Sequence, residues 1–445
     1  MSTSRRTRAR IGRAAAVPVI ETPIPEASPV RPAEDADASG GRRVSAREWR
    51  KVRSWLVIAL VLRVALMLFV EVTGVEETLN LTKDAFLYDR TGQEMAQYWR
   101  TGGATDWPRR VDGGVIDRLF EYEVGALYLL TGNMMVSVRV LNVLAGTMVP
   151  FLVWQTARLL FDEKVSRRAL IWSALFPTQL YYSVIMIRDS QSTMAMSMVF
   201  LGLVAVVARG SRRQVACLPL GLLLVAALRT YMFVILAALI PLAWLAATLL
   251  VRSRGKSRFI SRAATAGVMC AVVASGAGLH KAFMSEETAL VTDVGFVNRV
   301  RDQLNTGSGR MYKDGEVPQL FESVGGTVEA VGTGLYHFVF SVNPAEVESF
   351  KQLMAIPEVL LICVALPSVW RGMKRCKKHY PLEMAAPILI ALAITFAYSS
   401  VATNGGPMMR WRLQTVNVYI LVAALGWDRR VRLPDWKRAG LGKSA

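Results

Sequence analysis

The stretch MMVSVRVLNVLAGTMVPFLVWQTARLL at 134–160 decides the fold class of this chain. Its residues are almost all apolar, and about 20 such residues in a helix cross the hydrocarbon core of a bilayer. Nine further apolar segments share this character. They lie at about 55–72, 168–185, 190–208, 214–228, 231–251, 260–281, 352–370, 382–402 and 411–427. The sequence therefore predicts an all-α polytopic membrane protein with about ten transmembrane helices and two long exterior loops.

The composition excludes a soluble protein. Of the 445 residues, 53% are hydrophobic and 20% are charged, and the formal net charge is +19. A soluble nucleic-acid binder carries such a charge, but it does not also carry repeated apolar runs long enough to cross a membrane. We therefore expect the lipid bilayer, and no nucleic acid, among the partners.

The charges are unevenly distributed over the segments that connect the apolar runs. One set comprises the N-terminal tail, 161–168, 209–214, 252–262, 371–381 and the tail from residue 428. This set holds 34 Lys and Arg against 10 Asp and Glu, whereas the long loops at 73–133 and 282–350 hold 10 against 20. Positively charged connections stay in the cytoplasm. Both termini are therefore predicted to be cytoplasmic, and both long loops to face outward.

The same pattern predicts three parts along the chain. Residues 1–50 are polar and rich in Arg, Ala and Pro, with too few apolar residues to fold, and are predicted to be a disordered cytoplasmic tail. Residues 51–427 form the transmembrane domain, and 428–445 form a basic cytoplasmic tail.

The first long loop contains LTKDAFLYDRTGQEMAQYW at 81–99. Tyr88, Gly92, Met95 and Trp99 recur at three- and four-residue spacing, which predicts an amphipathic helix near the membrane surface. Asp84 lies near the start of this helix, where the helix dipole favours a carboxylate. Asp84 is therefore a candidate site residue, and Tyr88 on the same helix is a substrate-binding candidate. The alternative for Asp84 is a simple helix cap.

Further polar residues are predicted at the outer ends of the spans. They are Arg188, Asp189, Arg229, Tyr231, Arg410 and Arg412. An arginine at membrane depth costs roughly 2.5–3.5 kcal/mol on insertion scales, so it should face a cavity or a partner. Several guanidinium groups at one level suit a phosphate or pyrophosphate, because each can offer paired donors. Arg188, Arg229, Tyr231, Arg410 and Arg412 are therefore substrate-binding candidates, and Asp189 is a candidate site residue among them.

Other interpretations of these arginines stay open. Each could reach the interface alone or pair with a neighbouring carboxylate, as Arg188 could with Asp189. Arg63 and Arg139, inside the first two spans, are interpreted as structural. A His-based metal site is not expected, because the chain has only three His and its four Cys lack metal-ligand spacing. A divalent cation is left open as a cofactor.

The arrangement resembles the GT-C superfamily of membrane glycosyltransferases, which includes protein O-mannosyltransferases and lipid A aminoarabinose transferases. The resemblance is carried by Arg63, KDAFLY at 83–88, GALYLLTG at 125–132, VRVLNVLAGTMVPFLVWQTARLLF at 138–161, ALFPTQLYYSVIMIRDS at 174–190, LRTY at 228–231 and NGGPMMRWRLQ at 404–414. These motifs are similar to those of GT-C-like proteins of bacterial polysaccharide clusters. The chain departs from the family pattern in FEYEVGALY, which lacks a proline, and in having no adjacent acid pair in this loop.

This resemblance implies transfer of a sugar from a polyprenyl-phosphate carrier to a glycan, lipid or protein acceptor outside a bacterial plasma membrane. It implies that Asp84 acts as base or electrostatic partner, and that Asp189 helps to hold acceptor or metal. Arg229, Arg410 and Arg412 would contact the lipid-linked phosphate.

Two other functions remain compatible with the sequence. A surface polysaccharide polymerase or ligase would depend mainly on the loop at 282–350. A non-enzymatic transport or assembly subunit would be expected to have paired halves and ionisable residues at mid-membrane.

Overall fold

A computed structural model describes most of the chain between residues 44 and 427. The described ranges are 44–75, 83–106, 108, 118–208, 210–250, 294–305, 310–312, 317–340 and 350–427. The predicted tail at 428–445, the predicted span at 260–281 and residues 1–43 lie outside them. Helix formation begins at Ala46, inside the stretch assigned to the N-terminal tail, because the Ser45 side chain accepts a hydrogen bond from the Glu48 amide and caps the helix.

The described ranges are almost entirely helical. The helices are α1 Ala46–Thr73, α2 Lys83–Arg100, α3 Leu119–Thr131, α4 Met135–Leu160, α5 Glu163–Leu175, α6 Pro177–Tyr182, α7 Asp189–Ala208, α8 Arg212–Leu228, α9 Thr230–Leu250, α10 Val294–Leu304, α11 Val324–Phe340, α12 Phe350–His379, α13 Pro381–Val401 and α14 Gly405–Trp427. The one β pairing within those ranges is an isolated bridge between Arg310 and Asn404. The all-α prediction is confirmed.

Within the described ranges, five helices are long and apolar enough to cross a membrane. They span Ala46–Thr73, Met135–Leu160, Asp189–Ala208, Ala355–His379 and Glu383–Val401. The chain is therefore a multi-pass membrane protein, as predicted. The number of about ten spans stays a prediction.

The predicted span at 168–185 is not one continuous helix. α5 ends at Leu175 and α6 begins at Pro177, with Phe176 in an extended conformation between them. Proline has no amide hydrogen to donate and disfavours helical geometry in the residue before it, so the helix breaks there. The prediction of an unbroken span is wrong for this physical reason, although the segment is as apolar as a span should be.

Close helix packing depends on small residues. A side chain at Gly202 of α7 would collide with the backbone of Leu218 in α8, and one at Gly221 of α8 would collide with the Ala195 carbonyl. The two helices therefore approach each other through glycines, as membrane helices commonly do. In contrast, Val57, Val61 and Phe69 of α1 are exposed, which is the arrangement expected of side chains that face lipid.

Several buried arginines serve as caps for helix ends. Arg63 donates to the Ala174 carbonyl at the end of α5 (3.2 Å), and Arg188 donates to the last carbonyl of α8, that of Leu228 (2.8 Å). The final carbonyls of a helix lack partners and carry partial negative charge, so a guanidinium satisfies both needs. Arg139 contacts Glu71 of α1. The interpretation of Arg63 and Arg139 as structural residues stays a prediction, and these contacts are compatible with it.

The end of α14 carries the largest of these caps. Arg168, Arg371 and Arg375 donate to the carbonyls of Ala424, Gly426 and Leu425, at 3.0, 3.0 and 2.5 Å. We call these three side chains the arginine cap. They come from α5 and α12, so the cap also joins three helices at one level.

Candidate active site

Asp84 lies in the first turn of α2, the amphipathic helix predicted in the first long loop. Tyr88, Met95 and Ala96 are buried along one face of this helix, which confirms the prediction. That face packs on α3, and a side chain at Gly92 would collide with Val124 of α3. The close packing of the two helices fixes the direction of α2 and leaves the Asp84 side chain 44% exposed.

Asp189 is held by an unusual stretch of chain. Residues 183–188, between α6 and α7, are not helical and yet are largely buried. The Asn142 side-chain amide of α4 donates to the carbonyls of Ile185 (2.8 Å) and Ile187 (2.9 Å), and Ser190 Oγ donates to the Asn142 carbonyl (3.0 Å). Irregular backbone at membrane depth requires such partners. The stretch is therefore fixed, and α7 begins at Asp189, one residue before the predicted span at 190–208.

The Asp189 carboxylate is 1% exposed and binds two guanidinium groups. Its Oδ1 accepts from Arg229 Nη2 at 2.5 Å, and its Oδ2 accepts from Arg410 Nη2 at 2.8 Å and from Arg410 Nε at 3.0 Å. A buried carboxylate is tolerated only when charges and hydrogen bonds compensate it. Both oxygens of Asp189 are thus engaged by cations.

Arg410 joins the two predicted catalytic carboxylates. While two of its nitrogens bind Asp189, its Nη1 contacts Oδ2 of Asp84. The Arg410 side chain is 20% exposed. Asp84 comes from α2, Asp189 from α7 and Arg410 from α14, so one guanidinium links three distant parts of the chain. We call Asp84, Asp189, Arg229 and Arg410 the charge cluster.

A chain of hydroxyl groups extends the charge cluster from Arg229. Arg229 lies between α8 and α9, at the predicted interruption, and donates through Nε to Ser192 Oγ (3.2 Å) and through Nη1 to the Tyr231 hydroxyl (2.7 Å). The hydroxyls of Tyr231 and Tyr398 lie 3.4 Å apart, and Tyr398 donates to Gln414 Oε1 at 2.8 Å. The predicted pair Arg229 and Tyr231 therefore acts as one unit.

Arg188 and Tyr88 lie next to the charge cluster. Tyr88 is 3% exposed, and its ring packs edge-on against Phe120 at 4.8 Å between centroids. Burial raises the pKa of Tyr88, while the positive charges of Arg188 and Arg410 oppose that shift. The phenol is thus held neutral close to the cations, where it can act as a hydrogen-bond donor.

Arg412 does not join the charge cluster. It contacts Glu358 of α12 and donates to the carbonyls of Phe338 and Val339 at the end of α11, both at 2.9 Å. The other oxygen of Glu358 accepts from the Thr178 amide at the start of α6 (3.0 Å). The Arg412–Glu358 pair therefore ties two helix ends of opposite polarity together. The motif resemblance gave no sign of this difference between Arg410 and Arg412.

Sequence reasoning missed several polar residues around these arginines. Ser192, Tyr398 and Gln414 support Arg229, and Glu358 neutralises Arg412. Each lies in an otherwise apolar helix, and a polar side chain in such a helix is the signal that could have identified it.

The site contains charges of both signs. Arg188, Arg229 and Arg410 lie near the carboxylates of Asp84 and Asp189, and the buried Glu121 acts on the same group of charges. Within the described residues, no three His, Cys, Asp or Glu side chains converge as they would around a metal ion. The guanidinium groups of this arrangement are suited to bind an anionic group.

The chain is similar to known glycosyltransferases over part of its length. Residues 119–275 match the family model described as dolichyl-phosphate-mannose-protein mannosyltransferase. This match contains Asp189 and Arg229, whereas Asp84 and Arg410 lie outside it. No curated protein matches the chain.

One similar solved structure is the archaeal oligosaccharyltransferase AglB from Archaeoglobus fulgidus, in complex with an inhibitory peptide and a dolichol-phosphate. It is 13% identical, with a TM-score of 0.46, and the alignment covers 86% of this chain and 50% of that chain. The chain thus spans half the length of that structure. The resemblance to the GT-C type of membrane glycosyltransferase, predicted from the sequence motifs, is confirmed by the family match over residues 119–275.

Proposed function

We propose that the chain is a membrane glycosyltransferase that moves a sugar from a polyprenyl-phosphate carrier to a glycan, lipid or protein acceptor. The observation that carries this proposal is the charge cluster, in which Arg410 links Asp84 to Asp189 and Asp189 binds Arg229. The matching family is itself described by a dolichyl-phosphate-linked sugar, which supports a lipid-linked donor.

Arg188, Arg229 and Arg410 are proposed to bind the carrier phosphate. A phosphate cannot leave water without cations or hydrogen-bond donors, and arginine supplies both. Tyr88 and Tyr231 lie close enough to these arginines to add neutral donors.

Asp84 is proposed as the general base. Asp189 has both oxygens engaged and is 1% exposed, whereas Asp84 is 44% exposed and contacts one arginine. The oxygen of the acceptor hydroxyl would bond to the anomeric carbon while Asp84 takes the proton of that hydroxyl. The bond from that carbon to the phosphate oxygen breaks, and the phosphate leaves with the electron pair. One displacement of this kind inverts the configuration of the anomeric carbon.

Asp189 is proposed to act through the arginines. By binding Arg229 on one oxygen and Arg410 on the other, it holds both guanidinium groups in fixed positions before the donor arrives. Such preorganisation stabilises the leaving phosphate in the transition state. Asp189 is therefore a positioning residue in this mechanism.

The reaction is proposed to occur on the outer side of a bacterial plasma membrane, with both termini in the cytoplasm. The charge difference between the two sets of connections supports this orientation. Polyprenyl carriers present their sugars at the outer surface, where Asp84 and the first long loop would lie.

The proposed function is tested by Asp84→Asn in purified protein with a polyprenyl-phosphate sugar as donor. We expect transfer to fall about 100-fold or more, because the amide cannot accept the proton. Glu94→Gln is the matched control, since Glu94 lies on the same helix and pairs with Arg90 outside the charge cluster. Full activity of Asp84→Asn at equal protein level would reject Asp84 as the base.

A further inference from the structure

Two buried hydrogen-bond donors lie next to Arg410 without an acceptor among the described residues. They are the hydroxyl of Tyr182 and the side-chain Nε2 of Gln414. Tyr182 is 1% exposed and Gln414 is 2% exposed. A buried polar group with no partner costs free energy, so two of them at one place require an explanation.

Tyr182 ends α6, on the far side of the helix break at Pro177. Its ring packs against that of Tyr181 at 4.8 Å between centroids, and it belongs to the same apolar cluster as Met409 and Leu413. Those two residues flank Arg410 on one side of α14. The charges of Arg410 and Asp189 act on the Tyr182 hydroxyl, which places it beside the charge cluster.

Gln414 lies on the other side of Arg410. It follows Arg410 by four residues in α14, so the two side chains share one face of the helix. Its Oε1 accepts a hydrogen bond from Tyr398 at 2.8 Å. This bond assigns the oxygen to Tyr398 and leaves Nε2 as the donor without a partner. Gln414 thus connects the end of the hydroxyl chain to the helix that carries Arg410.

We propose that Tyr182 and Gln414 complete a phosphate subsite with Arg410, each donating a hydrogen bond to a phosphate oxygen. The inference rests on the proposed function, because it takes the lipid-linked phosphate as the occupant. Arg410 and Gln414 Nε2 can only donate, and the Tyr182 hydroxyl can donate as well as accept, so the three groups together favour an anion.

The experiment measures binding of polyprenyl phosphate to the full-length protein in lipid nanodiscs. Tyr182→Phe removes the hydroxyl alone, and Gln414→Glu keeps Oε1 for Tyr398 while replacing the donor with an acceptor. We expect the Kd for polyprenyl phosphate to rise about 10-fold in Tyr182→Phe and more in Gln414→Glu. Tyr181→Phe is the matched control, because its ring neighbours Tyr182 and is expected to bind normally.

Two competition experiments test which phosphate-containing molecule occupies the subsite. Inorganic phosphate and nanodiscs that contain an anionic phospholipid are offered as competitors. Competition by polyprenyl phosphate alone supports the inference. Displacement of the carrier by either competitor at equal concentration would overturn a lipid-linked donor as the occupant.

The variants also separate this inference from the proposed function. If Arg410→Gln loses polyprenyl phosphate while Tyr182→Phe and Gln414→Glu bind as the wild type does, the subsite is rejected and the proposed function stands. If the wild type itself binds none, both are rejected. Thermal unfolding of Tyr182→Phe should be unchanged or slightly higher, since an unsatisfied hydroxyl is removed.

Discussion

Arg410 and Arg412 are two residues apart on α14, and their side chains differ in exposure and in the carboxylates that they bind. Arg410 is 20% exposed and is shared between the carboxylates of Asp84 and Asp189. Arg412 is 4% exposed and faces one carboxylate, that of Glu358, which is fully buried. Two residues on a helix are separated by about 200°, so the two guanidinium groups point to different sides.

The comparison separates a partly exposed site, which a ligand can reach, from a buried ion pair whose charges cancel. Arg412 and Glu358 satisfy each other and three backbone groups: the amide of Thr178 and the carbonyls of Phe338 and Val339. The charge cluster is instead partly exposed at Asp84 and Arg410, and its charges are shared among four side chains. A buried ion pair is therefore evidence for a binding site only where a ligand can reach it.

The largest effect should come from breaking the closed pair. Glu358→Gln leaves Arg412 buried without its counter-charge, and loss of one partner of a buried pair costs about 3–5 kcal/mol. We expect the purified protein to unfold at a clearly lower temperature in detergent. An unchanged unfolding temperature would show that Arg412 is not stabilised by Glu358.

Arg410→Gln should have the next largest effect, on activity rather than on folding. Removing a preorganised cation from the leaving phosphate should lower kcat by about 100- to 1000-fold. Thermal unfolding should change less than in Glu358→Gln, because Arg410 is partly exposed. If Arg410→Gln lowers the unfolding temperature as much as Glu358→Gln does, the proposed difference between Arg410 and Arg412 is wrong.

Tyr231→Phe should give a smaller change. It removes the hydrogen bond that Arg229 donates at 2.7 Å, and the bond to Tyr398 with it. We expect kcat/KM for sugar transfer to fall about 3- to 10-fold, since a single hydrogen bond is lost. Wild-type kcat/KM would mean that Asp189 and Ser192 position Arg229 without Tyr231.

The smallest effect is expected for an exposed ion pair, which serves as a reference for the buried pairs. Lys51 and Glu163 lie 3.1 Å apart, and their side chains are 39% and 43% exposed. Lys51→Ala should change the free energy of unfolding by less than about 1 kcal/mol, and added salt should reduce the difference further. A larger loss of unfolding free energy would show that the exposure of an ion pair does not determine how much it stabilises this protein.

Much of the fold could be predicted because the periodicity of apolar residues and the distribution of charge are local properties of the sequence. The amphipathic face of α2, the interruption at Arg229 and the start of α7 at Asp189 follow from the residues themselves. Pro177 also indicates a helix break in the sequence, but the span at 168–185 was predicted from the apolar character of the segment.

The site could be predicted only in part. Arg410 and Arg412 look alike in sequence, and their different partners depend on which helix packs against each face of α14. Glu358 lies far from Arg412 in the chain, and Tyr182 resembles any aromatic residue near a span end. These relationships arise from tertiary packing, which no local pattern encodes.

The arginine cap at the end of α14 has a consequence for experiments on membrane orientation. Such experiments delete basic residues from one side and ask whether the protein inverts. Here Arg168, Arg371 and Arg375 also hold the last carbonyls of α14, so deleting them would damage the helix bundle as well as change the charge bias. Lys377 and Lys378 at the end of α12 change the same charge count without touching those carbonyls. An inversion assay on this protein should therefore be built on the two lysines.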